Sequence, residues 1–415
     1  MEVNISSKQE LKMIITDKLN SMKIIDMHTH LYSADFKELF LYGIDELLTY
    51  HYLIAETFRQ NRELSYEYFW SLPRNKQADI VWRTLFIENT PVSEVCRSII
   101  TIFSTLGLDA NNDNLEYYRD YFRTVDLNDH IDNVFKLSGI DWVVMTNDPF
   151  DDKERAVWEQ SKNTDCRFKA ALRLDVLLNA YQTALPKMTK MGYNVQYDID
   201  DTTVSEIKRF ISEWIEKMDA MYCAVSLPPG FSMEDGSVRA KIIEKCVLPV
   251  CEEKNVPFAL MIGVKRQVNP LLRLAGDSMG KADITSVEYL ASKYPGNRFL
   301  LTMLNFENQH EMIVVSRKFK NVMPFGCWWF VNNPTTIDFI TKLRVEMLGT
   351  SFIPQHSDCR VFEQLISKWI HSKRIIADVL TEKYSELMDT GYALKSEQID
   401  RDLNKYFRDN FMSFC

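Results

Sequence analysis

The sequence lacks several patterns that would place it in a common class. Its eight cysteines contain no C-x-x-C pair and lie in apolar contexts, as reduced core thiols do. No run of about 18 apolar residues occurs, so nothing predicts a membrane span. A positive N-terminal patch followed by an apolar core is also missing, which argues against a signal peptide. Together these absences predict a cytoplasmic protein.

An excess of basic residues is lacking as well. The net charge is −9, which argues against nucleic acid as the main partner but does not exclude an anionic small substrate. The 46% of hydrophobic and 26% of charged residues are typical of a globular protein. A length of 415 residues suffices for one large barrel with an insertion, or for two or three ordinary domains.

Short apolar stretches alternate with helical patterns over most of the chain. This alternation predicts parallel strands joined by right-handed crossovers. Eight such units predict a closed (β/α)8 barrel of the TIM type, an α/β fold. A doubly wound open sheet is the alternative, although it would not normally need eight repeats. The predicted strands cover residues 24–27, 142–146, 168–174, 222–227, 257–262, 298–304, 322–326 and 351–356.

One long segment, residues 36–138, interrupts the alternation. It is rich in aromatic residues and in helical patterns, and it contains no convincing strand. Asp45-Glu46 and Thr90-Pro91 each predict the start of a helix within it. We therefore predict a helical insertion subdomain between strands 1 and 2, with residues 1–35 and 139–415 forming the barrel.

Reactive side chains follow the predicted strands, where the chemistry of such barrels occurs. His28 and His30 end strand 1, and their i, i+2 spacing puts both imidazoles on one face. Asp358 follows strand 8, which neighbours strand 1 across the barrel seam. Two imidazoles and a carboxylate leave open positions on a zinc-like ion, as a catalytic site requires. The alternatives are a structural hydrogen bond for His30 and a helix N-cap for Asp358.

Three arginines also follow predicted strands, namely Arg173, Arg266 and Arg360. A guanidinium offers a carboxylate a planar two-point contact. A lone arginine is more often part of a surface salt bridge. Three arginines at strand ends favour an acidic substrate.

The stretch DMHTHL at 26–31 resembles the first-strand signature of the amidohydrolase superfamily. Further stretches, in order over nearly the whole chain, resemble the uronate isomerase (glucuronate isomerase) family. They are ELLTYHY at 46–52, ALRLD at 171–175, IGVKR at 262–266, FGCWWF at 325–330 and SDCR at 357–360.

This resemblance implies an aldose–ketose isomerase acting on hexuronates. Such an enzyme converts D-glucuronate to D-fructuronate, and D-galacturonate to D-tagaturonate, by moving a proton between C2 and C1. The resemblance also implies one divalent metal ion, zinc with manganese as the alternative, and no organic cofactor. The implied metal ligands are His28, His30 and Asp358.

The resemblance further implies roles for residues of the insertion and of the strand ends. The implied catalytic residues are Asp358, Tyr52, His51 and Arg360. We expect a small hexuronate as the partner, no nucleic acid, no membrane, and a homo-oligomer. The implied substrate contacts are Arg173, Arg266, Trp329, His51, Tyr52 and Arg360.

The sequence departs from the family pattern at strand 5. Met261 stands where the usual members have a histidine, and no lysine follows strand 4, so a two-metal site is not expected. His356, just before Ser357-Asp358, is also not part of the usual pattern. Two alternative functions follow: a metal-dependent hydrolase of a sugar-acid lactone or ester, and a non-catalytic barrel that binds a sugar acid.

Overall fold

Seven parallel strands form the main sheet of the computed structural model, which describes residue 5, residues 7–160 and residues 163–415. These strands lie side by side in chain order, with helices between them, and the sheet curls as in a TIM-type α/β fold. Two further short strands, β6 and β7, form a separate antiparallel pair. The strands are β1 Ile24–Thr29, β2 Ile140–Asn147, β3 Phe168–Arg173, β4 Cys223–Leu227, β5 Phe258–Ile262, β6 Val264–Lys265, β7 Ser278–Met279, β8 Phe299–Met303 and β9 Val322–Pro324.

Helices surround the sheet, and seven of them lie between β1 and β2. No helix in the described part of the chain is both long and apolar enough to cross a lipid bilayer. The helices are α1 Lys8–Ser21, α2 Ile44–Leu48, α3 His51–Gln60, α4 Tyr66–Ser71, α5 Arg74–Trp82, α6 Glu94–Thr105, α7 Leu115–Thr124, α8 Leu127–Ser138, α9 Asp152–Glu159, α10 Asp175–Asn179, α11 Tyr181–Lys190, α12 Asp201–Met218, α13 Val238–Ile242, α14 Leu248–Glu253, α15 Thr285–Lys293, α16 Gln309–Ser316, α17 Pro334–Leu348, α18 Gln364–Asp389, α19 Ser396–Asn404 and α20 Asn410–Phe414.

The helix start predicted at Thr90-Pro91 is wrong. Helix α6 begins at Glu94, and the side chain of Ser93 accepts a hydrogen bond from the backbone N–H of Cys96. Both Thr90 and Ser93 are good capping residues, so composition alone does not choose between them.

The predicted eighth strand, residues 351–356, is not a regular strand. It makes one parallel bridge, between Ile353 and Phe325. Pro354 has no N–H to extend the ladder beyond this point. Further along, Asp358 donates its N–H to the carbonyl oxygen of His28, at 3.2 Å. The segment 353–359 therefore hydrogen-bonds to both edges of the main sheet, but irregularly.

An apolar cluster fills the space inside the curled sheet. It includes Ile25, Met27, Val144, Ala171, Ala224, Ala259, Met261, Leu300 and Phe325, which come from successive strands or follow them directly. We call this set the inner cluster.

The end of β1 departs from strict alternation. Met27 belongs to the inner cluster, so alternation would turn His28 away from the interior. The pairing with β2 shifts register between Asp26 and Thr29, which inserts one residue into β1. Such an insertion reverses the faces of the residues that follow. The His28 ring accordingly lies beside Phe325, with 6.3 Å between ring centroids.

Gly326 allows the backbone after β9 to approach a buried histidine. Its φ is +61°, and a Cβ atom at this position would lie 1.7 Å from Nδ1 of His356. No side chain fits in that space, so either the His356 ring or the backbone would have to move. A glycine is therefore required here both by backbone conformation and by contact.

We expect Gly326→Ala to lower the free energy of unfolding by about 1–3 kcal/mol more than Gly349→Ala does, because the added methyl group overpacks the interior. Gly349 is a matched control, since its φ is also +61° but nothing lies within 4 Å of its Cβ position. Urea titrations followed by circular dichroism measure both variants. Equal losses in the two variants would contradict the proposed contact with His356.

Candidate active site

The two histidines of β1 meet Asp358 at one end of the sheet. Nε2 of His28 and Nε2 of His30 lie 3.7 Å and 3.4 Å from Oδ1 of Asp358. One possible ligand atom from each residue lies within 4.8 Å of the others. A tetrahedral zinc ion about 2.0–2.1 Å from its ligands holds neighbouring donor atoms roughly 3.3 Å apart. The separations therefore fit a single metal ion.

The protonation states of the two histidines suit a metal ion. Burial lowers the pKa of His28 to about 3, although the Asp358 carboxylate opposes this shift. Burial likewise lowers the pKa of His30 well below its usual value. Nε2 of His28 and Oδ1 of Asp358 have no hydrogen-bond partner among the described residues. Neutral imidazoles and a carboxylate with free lone pairs are the form that binds a cation.

The backbone at Asp358 is strained, with a φ of +55°. A non-glycine residue in the left-handed region costs free energy, and such residues concentrate at functional sites. Asp358 is not a helix cap, because α18 begins at Gln364 with Glu363 as its N-cap residue. The N-cap alternative considered for Asp358 is therefore wrong.

Two residues that the sequence did not indicate lie behind the histidines. Tyr222 contacts Nδ1 of His28 at 3.1 Å, and Thr146 contacts Nδ1 of His30 at 2.9 Å. Thr146 immediately precedes two polar residues, Asn147 and Asp148, at the end of β2, and this polar strand end was the sequence feature that could have indicated it. Tyr222 lies just before β4, and its apolar surroundings in the sequence gave no such indication.

The first turn of α3 brings His51 and Tyr52 to the same region. Consecutive residues inside a helix do not share a face, but His51 is the first residue of α3 and Tyr50 is its N-cap. The rings of His51 and Tyr52 are 4.5 Å apart, and the His51 ring lies 6.0 Å from Trp329. Burial keeps the pKa of His51 well below, and that of Tyr52 well above, their usual values.

Two of the three predicted arginines already have carboxylate partners. Arg173 binds Asp175 through two hydrogen bonds, of 3.0 Å and 3.2 Å. Arg266 binds Asp277 at 2.6 Å, and its side chain is 50% exposed.

The third arginine, Arg360, has no ion pair among the described residues. It is half-buried, and its positive charge contributes to lowering the pKa values of His30 and His51. Arg360 is therefore the strand-end guanidinium that remains free to bind an anion.

The predicted arginines line two cavities. One, of about 400 Å³, is lined by residues that include Arg173, Asp175 and Arg266. Another, of about 310 Å³, is lined by residues that include His51 and Arg360. The three predicted arginines thus line open space rather than the packed core.

The whole chain is similar to a solved uronate isomerase from Bacillus halodurans. The two chains are 50% identical, the alignment covers 99% of this chain and 97% of the other, and the TM-score is 0.97. The chain belongs to the uronate isomerase family. Identity at this level over the full length extends the resemblance from the motifs to the entire fold.

More distant members of the uronate isomerase family share the fold. The uronate isomerase of Thermotoga maritima is 15% identical with a TM-score of 0.79, over 100% of this chain and 98% of that one. The glucuronate isomerase of Caulobacter crescentus is 13% identical with a TM-score of 0.75, over 100% and 95% of the two chains. No family model and no curated protein sequence matches the chain.

Two residues depart from the usual pattern of the uronate isomerase family, Met261 and His356, and both are buried. Met261 is 2% exposed and packs within the inner cluster. His356 is fully buried, and its ring lies 5.2 Å from that of His28. His356 does not belong to the group of possible ligands found among the described residues, so the cluster consists of His28, His30 and Asp358.

We expect Asp358→Asn to weaken binding of Zn²⁺ at least ~10- to 100-fold, because an amide supplies no negative charge to the cation. Competition with a chromophoric chelator measures the affinity, and elemental analysis after dialysis measures the stoichiometry. Asp338→Asn is the control, since Asp338 is a surface residue of α17 paired with Lys342. Unchanged affinity in Asp358→Asn would exclude this carboxylate as a ligand.

Proposed function

We propose that the protein is a uronate isomerase that interconverts aldohexuronates and ketohexuronates. The reactions are D-glucuronate to D-fructuronate and D-galacturonate to D-tagaturonate, each by proton transfer between C2 and C1. The observation that carries this proposal is the likeness of the entire chain to the uronate isomerase of Bacillus halodurans. The cluster of His28, which is buried, with His30 and Asp358, which are partly buried, supports it, because this reaction needs an electrophile next to a base.

We also propose that the fold is a closed (β/α)8 barrel carrying a helical insertion. In this proposal residues 1–35 and 139–415 form the barrel, and residues 36–138 form a subdomain that contributes to the active site. Hydrogen bonds from the segment 353–359 to both β9 and β1 support closure of the sheet. The position of His51 and Tyr52 at the start of α3 supports the contribution of the insertion.

The reaction requires a base near the carbon-bound proton, an acid near the sugar oxygens, and stabilisation of a negatively charged enediolate. A divalent ion held by His28, His30 and Asp358, zinc or alternatively manganese, supplies Lewis acidity when bound. No organic cofactor is needed, since the substrate is isomerised without a net change in oxidation state.

Asp358 is the proposed base. Its Oδ1 faces the two imidazoles, and its side chain as a whole is 12% exposed rather than sealed in the interior.

Tyr52 and His51 are the proposed carriers of protons to and from the sugar oxygens. The raised pKa of Tyr52 keeps its hydroxyl protonated, so it can donate. The lowered pKa of His51 keeps its ring neutral, so it can accept a proton. Nε2 of His51 is buried and has no hydrogen-bond partner among the described residues, which leaves it available to a substrate.

Arg360 is the proposed main contact for the substrate's negative charge, at its carboxylate or at the enediolate oxygens. Because Asp175 and Asp277 already neutralise Arg173 and Arg266, these two contribute hydrogen bonds more than net charge. Trp329 is the proposed cover for the apolar face of the sugar.

The likeness of the whole chain to a uronate isomerase favours neither of the two alternative functions. A hydrolase would not need the free guanidinium of Arg360. Met261 kept the non-catalytic alternative open in the sequence, but it lies in the apolar interior and removes nothing from the triad. The homo-oligomeric state and the cytoplasmic location stay predictions.

We expect the wild-type protein, supplied with Zn²⁺ or Mn²⁺, to convert glucuronate or galacturonate to the ketouronate and to exchange the C2 proton with solvent. Asp358→Asn should lower kcat by ~10²- to 10⁴-fold, the usual contribution of a positioned base, while Asp338→Asn stays active. Proton NMR in D₂O measures both turnover and exchange. Absence of ketouronate from both sugars, with the metal bound, would rule out the proposed function.

Replacing the free guanidinium should weaken use of the charged substrate. Loss of hydrogen bonds to a charged group costs about 1.5–3 kcal/mol, so Arg360→Met should lower kcat/KM by roughly 10- to 150-fold. Arg83→Met is the control, because the Arg83 side chain is 77% exposed and is paired with Glu88. Initial-rate kinetics on glucuronate measure both. An Arg360→Met variant with wild-type kcat/KM would exclude Arg360 from the site.

A further inference from the structure

Two buried hydroxyl groups make the same pair of contacts behind the metal-binding triad. The hydroxyl of Tyr222 lies 3.1 Å from Nδ1 of His28 and donates to the carbonyl oxygen of Met27, at 2.7 Å. The hydroxyl of Thr146 lies 2.9 Å from Nδ1 of His30 and donates to the carbonyl oxygen of Thr29, also at 2.9 Å. Each hydroxyl thus joins one imidazole to the carbonyl of the residue immediately before it.

This repeated arrangement determines which ring nitrogen carries the proton. A hydroxyl has one proton, and a backbone carbonyl can only accept. If Tyr222 gave its proton to His28 instead, its oxygen and the carbonyl of Met27 would face each other as two acceptors only 2.7 Å apart. The hydroxyl therefore donates to the carbonyl and accepts from Nδ1–H. The same reasoning applies to Thr146 between Thr29 and His30.

As a consequence, Nε2 of each histidine is unprotonated. With Nδ1 protonated, the neutral imidazole has its lone pair on Nε2, which is the atom that faces Asp358 on both rings. Both hydroxyl-bearing residues are buried, Tyr222 completely and Thr146 to 3% exposure, so water does not readily replace either contact. The two groups come from different parts of the sheet, since Thr146 lies on β2 beside β1, whereas Tyr222 precedes β4.

We propose that Tyr222 and Thr146 are positioning residues that hold His28 and His30 in the tautomer and ring orientation that binds the divalent metal ion. This inference rests on the metal centre of the proposed function. It goes beyond the residues that the family resemblance implies, because neither Tyr222 nor Thr146 belongs to that set.

We expect Tyr222→Phe and Thr146→Val each to weaken Zn²⁺ binding by ~10- to 100-fold, the usual effect of removing the hydrogen-bond partner of a ligating histidine. Thr146→Ser keeps the hydroxyl and should restore most of the affinity. Chelator competition measures the affinity, and the visible absorption spectrum of the Co²⁺-loaded protein reports the ligand geometry. Neither readout depends on turnover.

Matched controls separate positioning from general stability. In Tyr118→Phe, a buried tyrosine likewise loses a hydroxyl that donates to backbone carbonyls, but within the helices between β1 and β2. In Thr57→Val, a buried threonine loses a bond to the carbonyl of Leu53. Both controls should keep wild-type Zn²⁺ affinity and an unchanged Co²⁺ spectrum, even where thermal unfolding shows a loss of stability.

The outcomes are distinguishable. Folded Tyr222→Phe and Thr146→Val variants that bind Zn²⁺ like the wild type would overturn the inference. If Tyr222→Phe does not fold, the comparison of Thr146→Val with Thr146→Ser tests the inference. A wild-type protein that isomerises uronates without binding a metal would overturn the inference but would not contradict the proposed isomerase function. A wild type that binds Zn²⁺ but converts neither uronate would overturn the proposed function, and the affinities would still test the hydroxyls.

Discussion

The site depends on the contacts that hold the segment 353–359 against β1. The buried carboxylate of Asp26 accepts hydrogen bonds from the backbone N–H of Ser357, at 3.1 Å, and from the indole N–H of Trp369, at 2.8 Å. Burial raises the pKa of Asp26 to about 6, and these two bonds oppose that shift. This contact ties β1, the residue next to Asp358 and the long helix α18 together. Together with the backbone hydrogen bonds from Asp358 to His28, at 3.2 Å, and from His30 to Cys359, at 2.8 Å, it fixes the separation of the Asp358 carboxylate from the two imidazoles.

Burial keeps the imidazoles of His28 and His30 neutral, which is the form that binds a metal ion. An imidazole in water is partly protonated near neutral pH, and a proton on Nε2 would block a metal. In this interior the neutral form is favoured, so the lone pairs remain available. The same low dielectric strengthens each hydrogen bond that orients a ring, and it makes an unpaired charge costly. The exposed Arg266 and the half-buried Arg360 therefore lie at the edge of the site, not inside it.

The wall of the cleft comes from two parts of the chain that lie far apart in sequence. The start of α3 supplies His51 and Tyr52, and the turn after β9 supplies Trp329, whose φ of +48° is also left-handed. The indole of Trp329 stacks on Phe330, with 4.9 Å between centroids. A site built from such distant segments requires the sheet and the helices between β1 and β2 to form together.

Seven parallel strands in chain order, the helical stretch that follows the first strand, the three candidate ligands and the family resemblance could be predicted from the order of the amino acids. The period of apolar residues and the spacing of reactive ones are local properties of the chain, so the histidines at positions 28 and 30 can be recognised without a structure. Three further facts came only from the folded structure: a register shift turns His28 inward, Tyr222 contacts it, and Arg360 is the one of the three strand-end arginines that has no carboxylate partner among the described residues. These facts depend on contacts between residues far apart in the chain, and hydrogen bonds and ion pairs form only where folding brings both partners together.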